Sequence, residues 1–404
     1  MSAQITNDFN PALCDAIARR IAESPGRITF AEYMDLVLYH PSHGYYATKA
    51  INIGRQGDFF TSPHLGADFG ELLALAFVQM WEILGRSVPF TLLEMGAGQG
   101  ILAADILGYL YRHYPDFFDA IEYVIVERST ALQNEQQQRL QDLLPGAKGK
   151  NGKLPLRWCS LEEIPVGSIT GCCFSNELVD AMPVHQIIIE GDLLREIYVT
   201  TRDGSNFEEV IGEPSTPLLA EYFDLVKIEL PSSAYSDGYR SEVNLAALDW
   251  LSAIASRVQR GYMLTIDYGY PASRYYSPAR SQGTLQCYYR HQHHDNPYIN
   301  IGRQDITAHV DFTALERWGE LCGLNNVGFT QQGLFLMALG LGDRIAALST
   351  SGDRSIQQVL QRREALHQLI APLGLGGFGV LVQSKGLKEA ETAQALKGLR
   401  MPAM

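Results

Sequence analysis

The sequence of 404 residues lacks any apolar run of the roughly 18 residues that a membrane-spanning helix needs. It also lacks a basic patch. The formal net charge is −13, with 45 acidic and 32 basic side chains, and such a charge repels a nucleic-acid backbone. Only six cysteines occur, without CxxC spacing, so neither a disulfide framework nor a cysteine zinc site is indicated. We therefore expect no membrane and no nucleic-acid partner.

The first residues of the chain show no targeting pattern. They have neither the apolar core of a signal peptide nor an acid-poor, arginine-rich character, because Asp8, Asp15 and Glu23 are among them. We therefore expect a cytoplasmic protein. The histidine-rich segment 291–295 reads HQHHD in a polar loop without further ligands nearby, and we predict that no metal binds.

Apolar runs of strand length alternate with segments of helical period from residue 89 onward. This alternation is typical of a parallel, doubly wound α/β sheet of the Rossmann-like type. The predicted strands are 90–95, 121–127, 156–159, 169–175, 262–267 and 378–383. Helical periodicity precedes them at residues 8–38 and 66–85.

The first of these strands ends in the segment 94–100, EMGAGQG, and a helix follows. Glycines allow a tight turn and a close approach of a ligand to the backbone. A helix that starts there presents unpaired N–H groups and a partial positive charge. The spacing is GxGxG, and Ile101 stands where the dinucleotide fingerprint GxGxxG has its last glycine.

Two acidic residues favour one ligand for this loop. Glu94 precedes the glycines, where a carboxylate repels a pyrophosphate but suits the ammonium and sulfonium groups of S-adenosylmethionine. Glu127 ends the second strand, where it can accept hydrogen bonds from both ribose hydroxyls. We predict S-adenosylmethionine as the cofactor; a tight turn with a solvated acid is the alternative. The predicted binding residues of this region are Glu94, Gly96, Ala97, Gly98, Gly100 and Glu127.

The acceptor side is predicted from the ends of later strands, because the carboxyl ends of parallel strands face the ligand crevice. Asn176 and Glu177 are therefore expected beside the cofactor. Glu177 is the main catalytic candidate, since a carboxylate can hold a cationic nitrogen group and localise its lone pair, while arginine is not simply deprotonated. Asp180 is either a second catalytic carboxylate or the cap of a following helix.

Two further catalytic candidates follow the fifth strand. Asp267 falls on the predicted crevice edge, and His309 is a candidate base. Asp311, which precedes a helical segment, is predicted to be its N-cap.

These motifs together resemble the MidA-like class I methyltransferases, a family that includes a mitochondrial protein-arginine methyltransferase. The blocks that carry the resemblance are 57–63, 69–71, 94–100, 176–184, 267–270 and 305–312. The resemblance implies a seven-stranded, mostly parallel sheet with a helical N-terminal region and inserted substrate elements. It also implies that Thr61 and Ser62 lie over the cofactor and that the Asn176-Glu177 loop meets the acceptor. His64 stands where we expect an acid.

The same considerations divide the chain into regions. About 85 residues separate the fourth and fifth strands, more than compact connections need, so an insertion is expected. The regions are a helical N-terminal region with a cofactor-covering loop (1–87), a methyltransferase core (88–185 and 260–385), an insertion (186–259), a substrate or lid loop within the core (268–309) and a C-terminal tail (386–404).

Three functions agree with the sequence. We expect a protein-arginine methyltransferase, whose partner is an arginine-bearing protein. A small-molecule methyltransferase is the second possibility, because the aromatic loop 268–298 suits such an acceptor. A non-catalytic assembly factor that uses the fold as a binding module is the third.

Overall fold

The computed structural model describes residues 8–48, 61–150, 152–290, 292–348 and 356–400. The chain forms two compact units. The seven-stranded unit consists of Phe60–Leu178, Leu251–Tyr268 and Gly319–Met404. The small-sheet unit consists of Met1–Phe59, Val179–Trp250 and Gly269–Trp318.

The described residues contain strands and helices in alternation through much of the chain. The strands are β1 Ile28–Thr29, β2 Phe90–Met95, β3 Ile121–Val126, β4 Leu156–Cys159, β5 Ile169–Asn176, β6 His185–Glu190, β7 Leu193–Thr201, β8 Phe207–Gly212, β9 Arg240–Val243, β10 Val258–Asp267, β11 Gly269–Tyr270, β12 Gln286–Tyr289, β13 Gln292–His294, β14 Asp305–Thr307, β15 Val310–Asp311, β16 Asn325–Gln331 and β17 Gly379–Lys385. The helices are α1 Pro11–Glu23, α2 Phe30–Tyr39, α3 Tyr45–Thr48, α4 Asp68–Ile83, α5 Ile101–His113, α6 Pro115–Phe118, α7 Thr130–Leu143, α8 Leu218–Val226, α9 Leu245–Arg257, α10 Ala272–Tyr275, α11 Phe312–Leu321, α12 Gln332–Leu339, α13 Leu341–Ala347, α14 Ile356–Ile370 and α15 Glu389–Thr392.

The larger sheet has seven strands in the order β16-β17-β10-β5-β2-β3-β4. Neighbours from β10 to β4 are parallel, and β17 runs antiparallel to both of its neighbours. All six residues of β2 are buried. Continuous apolar runs are typical of strands covered on both faces, which is why these strands are recognisable in the sequence. This arrangement confirms the predicted Rossmann-like α/β fold.

One strand of this sheet escapes prediction. The edge strand β16 reads NNVGFTQ, and its residues are exposed or only partly buried. An edge strand of this kind has few of the apolar residues on which strand prediction depends.

Helices α4 and α5 pack on the sheet face that carries the side chains of Leu92, Tyr123 and Phe174. The Phe77 ring of α4 lies 4.9 Å from Phe174 of β5, and Phe174 in turn meets Tyr123 of β3 edge-on at 6.2 Å. Because α5 begins directly after the glycine loop, its packing on α4 and the sheet fixes where that loop lies.

The small-sheet unit is built on the hairpin of β6 and β7. Glu190 pairs with Leu193 across a two-residue turn, Gly191-Asp192, a dipeptide typical of hairpin turns. Strand β1 pairs antiparallel with β7 and β9 pairs with β6, so the N-terminal segment completes this sheet. That long-range pairing has no signal in the sequence.

The segment 268–309 is more regular than the sequence suggests. It contains β11, α10 and the antiparallel strands β12 to β14. A carboxylate from outside the segment holds it: Glu242, 2% exposed, accepts hydrogen bonds from Thr284 N and Oγ1, both at 2.9 Å, and from the Tyr275 hydroxyl at 3.3 Å. Short strands rich in Tyr and His show little periodicity, so sequence patterns do not predict them.

Two features are absent from the residues that the structure describes. Within these ranges no helix has the length and apolar character to cross a membrane. The same ranges contain no group of three His, Cys, Asp or Glu residues placed to hold a metal ion. His291 of the histidine-rich segment lies outside them.

Candidate active site

The glycine loop turns sharply between β2 and α5. Gly96 and Gly100 have left-handed φ angles of 69° and 75°, and Gly100 N donates to Ala97 O at 2.8 Å. Gly98 has φ 52°, and a Cβ built on it would meet no protein atom within 4 Å. The space beside Gly98 is therefore open to a ligand that a side chain would obstruct.

Glu94 lies directly before this loop and is 3% exposed. The Tyr123 hydroxyl donates a hydrogen bond to its Oε2 at 2.7 Å. Burial raises the pKa of Glu94 to about 7, with the Tyr123 hydrogen bond opposing this rise and nearby Glu127 adding to it. Tyr123 thus holds the carboxylate in place beside the loop through one of its two oxygens.

Glu127 follows β3 and is oriented by two donors. Ser129 N donates to its Oε1 at 2.9 Å, and Gln136 Nε2 lies 3.3 Å from its Oε2. Burial raises its pKa, although these hydrogen bonds oppose the rise. Gln136 Nε2 also donates to Gly98 O at 2.8 Å, and Trp158 Nε1 donates to Gln136 Oε1 at 2.8 Å. Gln136 therefore links Glu127 to the glycine loop.

Thr61 and Ser62 lie at the start of a short 3₁₀ helix, Ser62–Leu65. The Thr61 hydroxyl lies 2.7 Å from His64 Nδ1. Burial lowers the pKa of His64, and Gln99 of the glycine loop opposes this shift. Ser62 is fully buried against Gln332, whose Nε2 donates to it at 3.1 Å. Thr61 thus contacts His64, whereas Ser62 is hydrogen-bonded to Gln332 of α12. Residues 57–60 of the same motif lie outside the described ranges.

Glu177 follows β5 with a left-handed φ of 51°, an uncommon conformation for a non-glycine residue. Its N–H donates to Ile266 O at 2.9 Å, and Asn176 Nδ2 donates to its Oε1 at 3.1 Å. The next residue, Leu178, places Cδ1 2.7 Å from the position that a Cβ on Gly96 would occupy. Glu177 is therefore fixed next to the glycine loop, as the strand-end argument predicts.

Asp267 is fully buried behind this turn. Its Oδ2 accepts from Leu178 N at 3.2 Å and its Oδ1 from Tyr268 N at 2.9 Å. The sequence predicts that Asp267 is a catalytic candidate on the crevice edge, facing the acceptor. The observed contacts fit a positioning role better, because both oxygens hold backbone on either side of the turn.

Asp180 and His309, the other two catalytic candidates, belong to the small-sheet unit. Asp180 is 5% exposed and its backbone O accepts from Ala308 N at 2.9 Å. The alternative that Asp180 caps a helix is wrong: residues 180–181 form a turn, and strand β6 follows at His185.

The His309 ring stacks on Tyr270 at 5.0 Å with an interplanar angle of 12°. Burial lowers the pKa of His309 to about 4, and the nearby guanidinium groups of Arg280 and Arg274 contribute. A histidine with this pKa is neutral at pH 7 and a weak base, so these surroundings do not favour the predicted role.

Asp311 has the role that the sequence predicts. Its Oδ1 accepts from Thr313 N at 3.0 Å and from Ala314 N at 3.2 Å at the start of α11. The N-cap is confirmed.

Sequence reasoning misses two residues of the site, Tyr123 and Gln136. Tyr123 sits in the middle of an apolar strand and reads as a core residue. Gln136 carries a usable signal, because it stands four residues from both Leu132 and Leu140 on the buried stripe of α7. A polar residue on such a stripe, here 0% exposed, indicates a specific hydrogen-bonding role.

The sheet order, the glycine loop and the two strand-end acids define a class I methyltransferase that uses S-adenosylmethionine. Comparison with known proteins gives the same class. Residues 72–330 match the family model of S-adenosyl-L-methionine-dependent methyltransferases called Methyltransf_28. The chain belongs to this family, the MidA-like methyltransferases.

Named relatives and a solved structure are similar over most of the chain. The mitochondrial protein arginine methyltransferase NDUFAF7 homolog of Drosophila melanogaster is 30% identical over 87% of this chain and 80% of its own. The rat protein NDUFAF7 is 31% identical over 84% and 77%. A COG1565 superfamily member from Burkholderia thailandensis, crystallised with S-adenosyl-homocysteine, is 31% identical with TM-score 0.83, over 96% of this chain and 94% of its own.

The residues of the site fit the cofactor. Glu94 offers a carboxylate for an ammonium group, and Glu127 offers carboxylate oxygens for hydroxyl groups. Gly98 leaves open the space that a Cβ would fill. The predicted cofactor, S-adenosylmethionine, is confirmed by the family and by the product-bound relative.

Proposed function

We propose that this protein is a protein-arginine N-methyltransferase in which Glu177 holds the guanidinium group of the acceptor. The names of the relatives support this acceptor class, since both NDUFAF7 proteins are called protein arginine methyltransferases. The acidic net charge of −13 favours a cationic acceptor over a nucleic acid.

The observation that carries the proposal is the fixed position of Glu177 beside the glycine loop. Its backbone has φ 51°, and Leu178 packs on Gly96. Strained residues of this kind are held at functional sites when the surrounding structure supports them. Asp267, through Leu178 N and Tyr268 N, supplies that support.

The chemistry asked of the site is modest. S-adenosylmethionine supplies an electrophilic methyl group on a positively charged sulfur. A nitrogen of the acceptor forms the new N–C bond with its lone pair, the C–S bond breaks with its electron pair going to sulfur, and the nitrogen loses a proton. Glu177 orients the guanidinium and localises the lone pair on the attacking nitrogen, and its carboxylate can accept that proton.

The experiment is a labelling assay with a mass readout. The pure protein is incubated with methyl-labelled S-adenosylmethionine and an extract of the host cells, which is then separated into protein and low-mass fractions. The proposal expects labelled protein that yields methylarginine on hydrolysis. Label in another amino acid, or only in the low-mass fraction, contradicts it, and the latter identifies a small-molecule methyltransferase.

The non-catalytic alternative has its own signature. An assembly factor that does not use the cofactor would give no calorimetric heat with S-adenosylmethionine and would co-purify with an unmodified partner. Cofactor binding with no labelled product in either fraction also contradicts the proposed activity.

A further inference from the structure

A buried tyrosine and a buried carboxylate meet beneath the glycine loop. Tyr123 is 0% exposed and Glu94 is 3% exposed. The hydroxyl of Tyr123 lies 2.7 Å from Glu94 Oε2, a short distance for a hydrogen bond to a carboxylate. Among the described residues, Tyr123 alone donates a hydrogen bond to Glu94, through this one oxygen.

The position of the tyrosine is fixed by the sheet. Tyr123 pairs with Leu92 in the parallel register of β2 and β3, so it is diagonal to Glu94 on the same face. The Phe174 ring meets the Tyr123 ring edge-on. A phenol held in this way can bond the carboxylate at little further cost in side-chain entropy, because packing has already selected its rotamer.

The electrostatic surroundings make this single donor important. No cation of the described chain lies within ion-pair distance of Glu94. The charged groups that act on the pair are acidic: Glu127 acts on Glu94, and Asp105 of α5 acts on Tyr123. Burial raises the pKa of Glu94 to about 7, so the carboxylate is easily protonated near neutral pH. A protonated Glu94 would lose most of its attraction for an ammonium group.

We propose that Tyr123 is a positioning residue for cofactor binding, which holds Glu94 ionised and directs its carboxylate to the ammonium group of S-adenosylmethionine. The other oxygen of Glu94 then serves the cofactor. This proposal depends on the cofactor site and not on the identity of the acceptor, so it can fail or succeed whether or not arginine is methylated.

The experiment compares cofactor affinity with pH in Tyr123→Phe and in the wild-type protein. Calorimetry measures Kd for S-adenosylmethionine from pH 6 to pH 8.5. Loss of a hydrogen bond to a charged group raises the pKa of Glu94 by about one unit or more. The ratio of the variant Kd to the wild-type Kd is therefore expected to be roughly five or more at pH 7 and several-fold smaller at pH 8.5, where a larger fraction of the variant carboxylate is ionised. The amino group of the cofactor also titrates in this range. Its titration affects both proteins equally, so the effect cancels in the ratio of the two Kd values.

Two further variants separate positioning from simple structural support. Tyr262→Phe removes a buried tyrosine hydroxyl from β10 of the same sheet, and its Kd is expected to match the wild type at every pH. Adding Tyr123→Phe to Glu94→Gln is expected to leave Kd as in Glu94→Gln alone, because the charge that the hydroxyl stabilises is gone. If Tyr123→Phe alone does not fold, the comparison of the double variant with Glu94→Gln still tests the proposal.

Three results would overturn the proposal. A Kd ratio of one at all pH values would mean that Tyr123 has no effect on Glu94. A ratio above one that does not change with pH would reduce Tyr123 to a packing residue. A further loss of affinity when Tyr123→Phe is added to Glu94→Gln would show that the tyrosine acts by another route.

Discussion

Leu178 lies directly against Gly96, with its Cδ1 2.7 Å from the place where a Cβ on Gly96 would stand. This contact joins two motifs that are far apart in the sequence, the glycine loop and the Asn176-Glu177 turn. The left-handed conformation of Glu177 and the packing of Leu178 therefore depend on one another. The glycine loop, which holds the cofactor, and Glu177, which is proposed to hold the acceptor, are therefore joined by direct packing.

Replacing Gly98 by valine is expected to weaken cofactor binding strongly while leaving the protein folded. The added isopropyl group fills the open side of the loop, and overpacking costs about 1–3 kcal/mol, so Kd should rise at least roughly 10- to 100-fold. The measurement is calorimetry with S-adenosylmethionine.

Gly146→Val is the matched control for that change. Gly146 also has a left-handed φ, 86°, with no atom within 4 Å of a Cβ, but it lies after α7. Both variants carry a backbone strain of about 1–2 kcal/mol, and only Gly98→Val should lose the cofactor. Equal affinity in the two variants would place the cofactor elsewhere.

Asp267→Asn is expected to loosen the Glu177 turn without direct loss of a reacting group. An amide offers one acceptor where the carboxylate offers two, so either Leu178 N or Tyr268 N loses its partner. The free energy of unfolding should fall by about 1–3 kcal/mol. Denaturant unfolding measures this, and an unchanged midpoint together with a normal kcat would refute the positioning role.

Asp105→Asn is expected to stabilise the protein at alkaline pH. Burial, together with Glu71 and Asp68, raises the pKa of Asp105 from 3.8 to about 7. The folded state therefore retains a proton that the unfolded state releases. The stabilisation linked to this proton is complete below about pH 4 and is lost as pH rises through 7.

The neutral amide has no such loss. We expect Asp105→Asn to exceed the wild type in unfolding free energy by about 1 kcal/mol at pH 8, and by clearly less at pH 5. Asp249→Asn, at an exposed position of α9, provides the control with the same change in charge. A difference between Asp105→Asn and wild type that is the same at both pH values would show that Asp105 does not hold the proton.

The sequence predicts the buried strands of this fold and the acidic residues at their carboxyl ends. Strands β2, β3, β5 and β10 are buried apolar runs, and their carboxyl ends carry Glu94, Glu127, Glu177 and Asp267. Because parallel strands bring these ends to one edge of the sheet, the strand pattern alone is enough to predict where the site lies. The glycine spacing and the acid before it are enough to choose the cofactor.

The parts that the sequence does not predict depend on register and on distant pairing. Tyr123 reaches Glu94 only because β2 and β3 align as they do, and no local pattern sets that alignment. Strand β1 completes a sheet with β7, more than 160 residues later. Asp180 resembles a helix cap because Asp often is one, yet the chain there turns into a strand, a choice made by tertiary contacts such as Ala308 N to Asp180 O.

The role proposed for Glu177 is tested by the transfer rate of Glu177→Gln, measured together with its cofactor affinity. The amide can keep the contact with Asn176 Nδ2 but has no charge for a guanidinium group. With labelled S-adenosylmethionine and the acceptor fraction, we predict a Kd within about threefold of the wild type and a transfer rate lower by roughly 100-fold or more. Glu320→Gln, an exposed change on α11, should alter neither. Equal losses of affinity and rate in Glu177→Gln, or no loss of rate, would contradict the role given to Glu177.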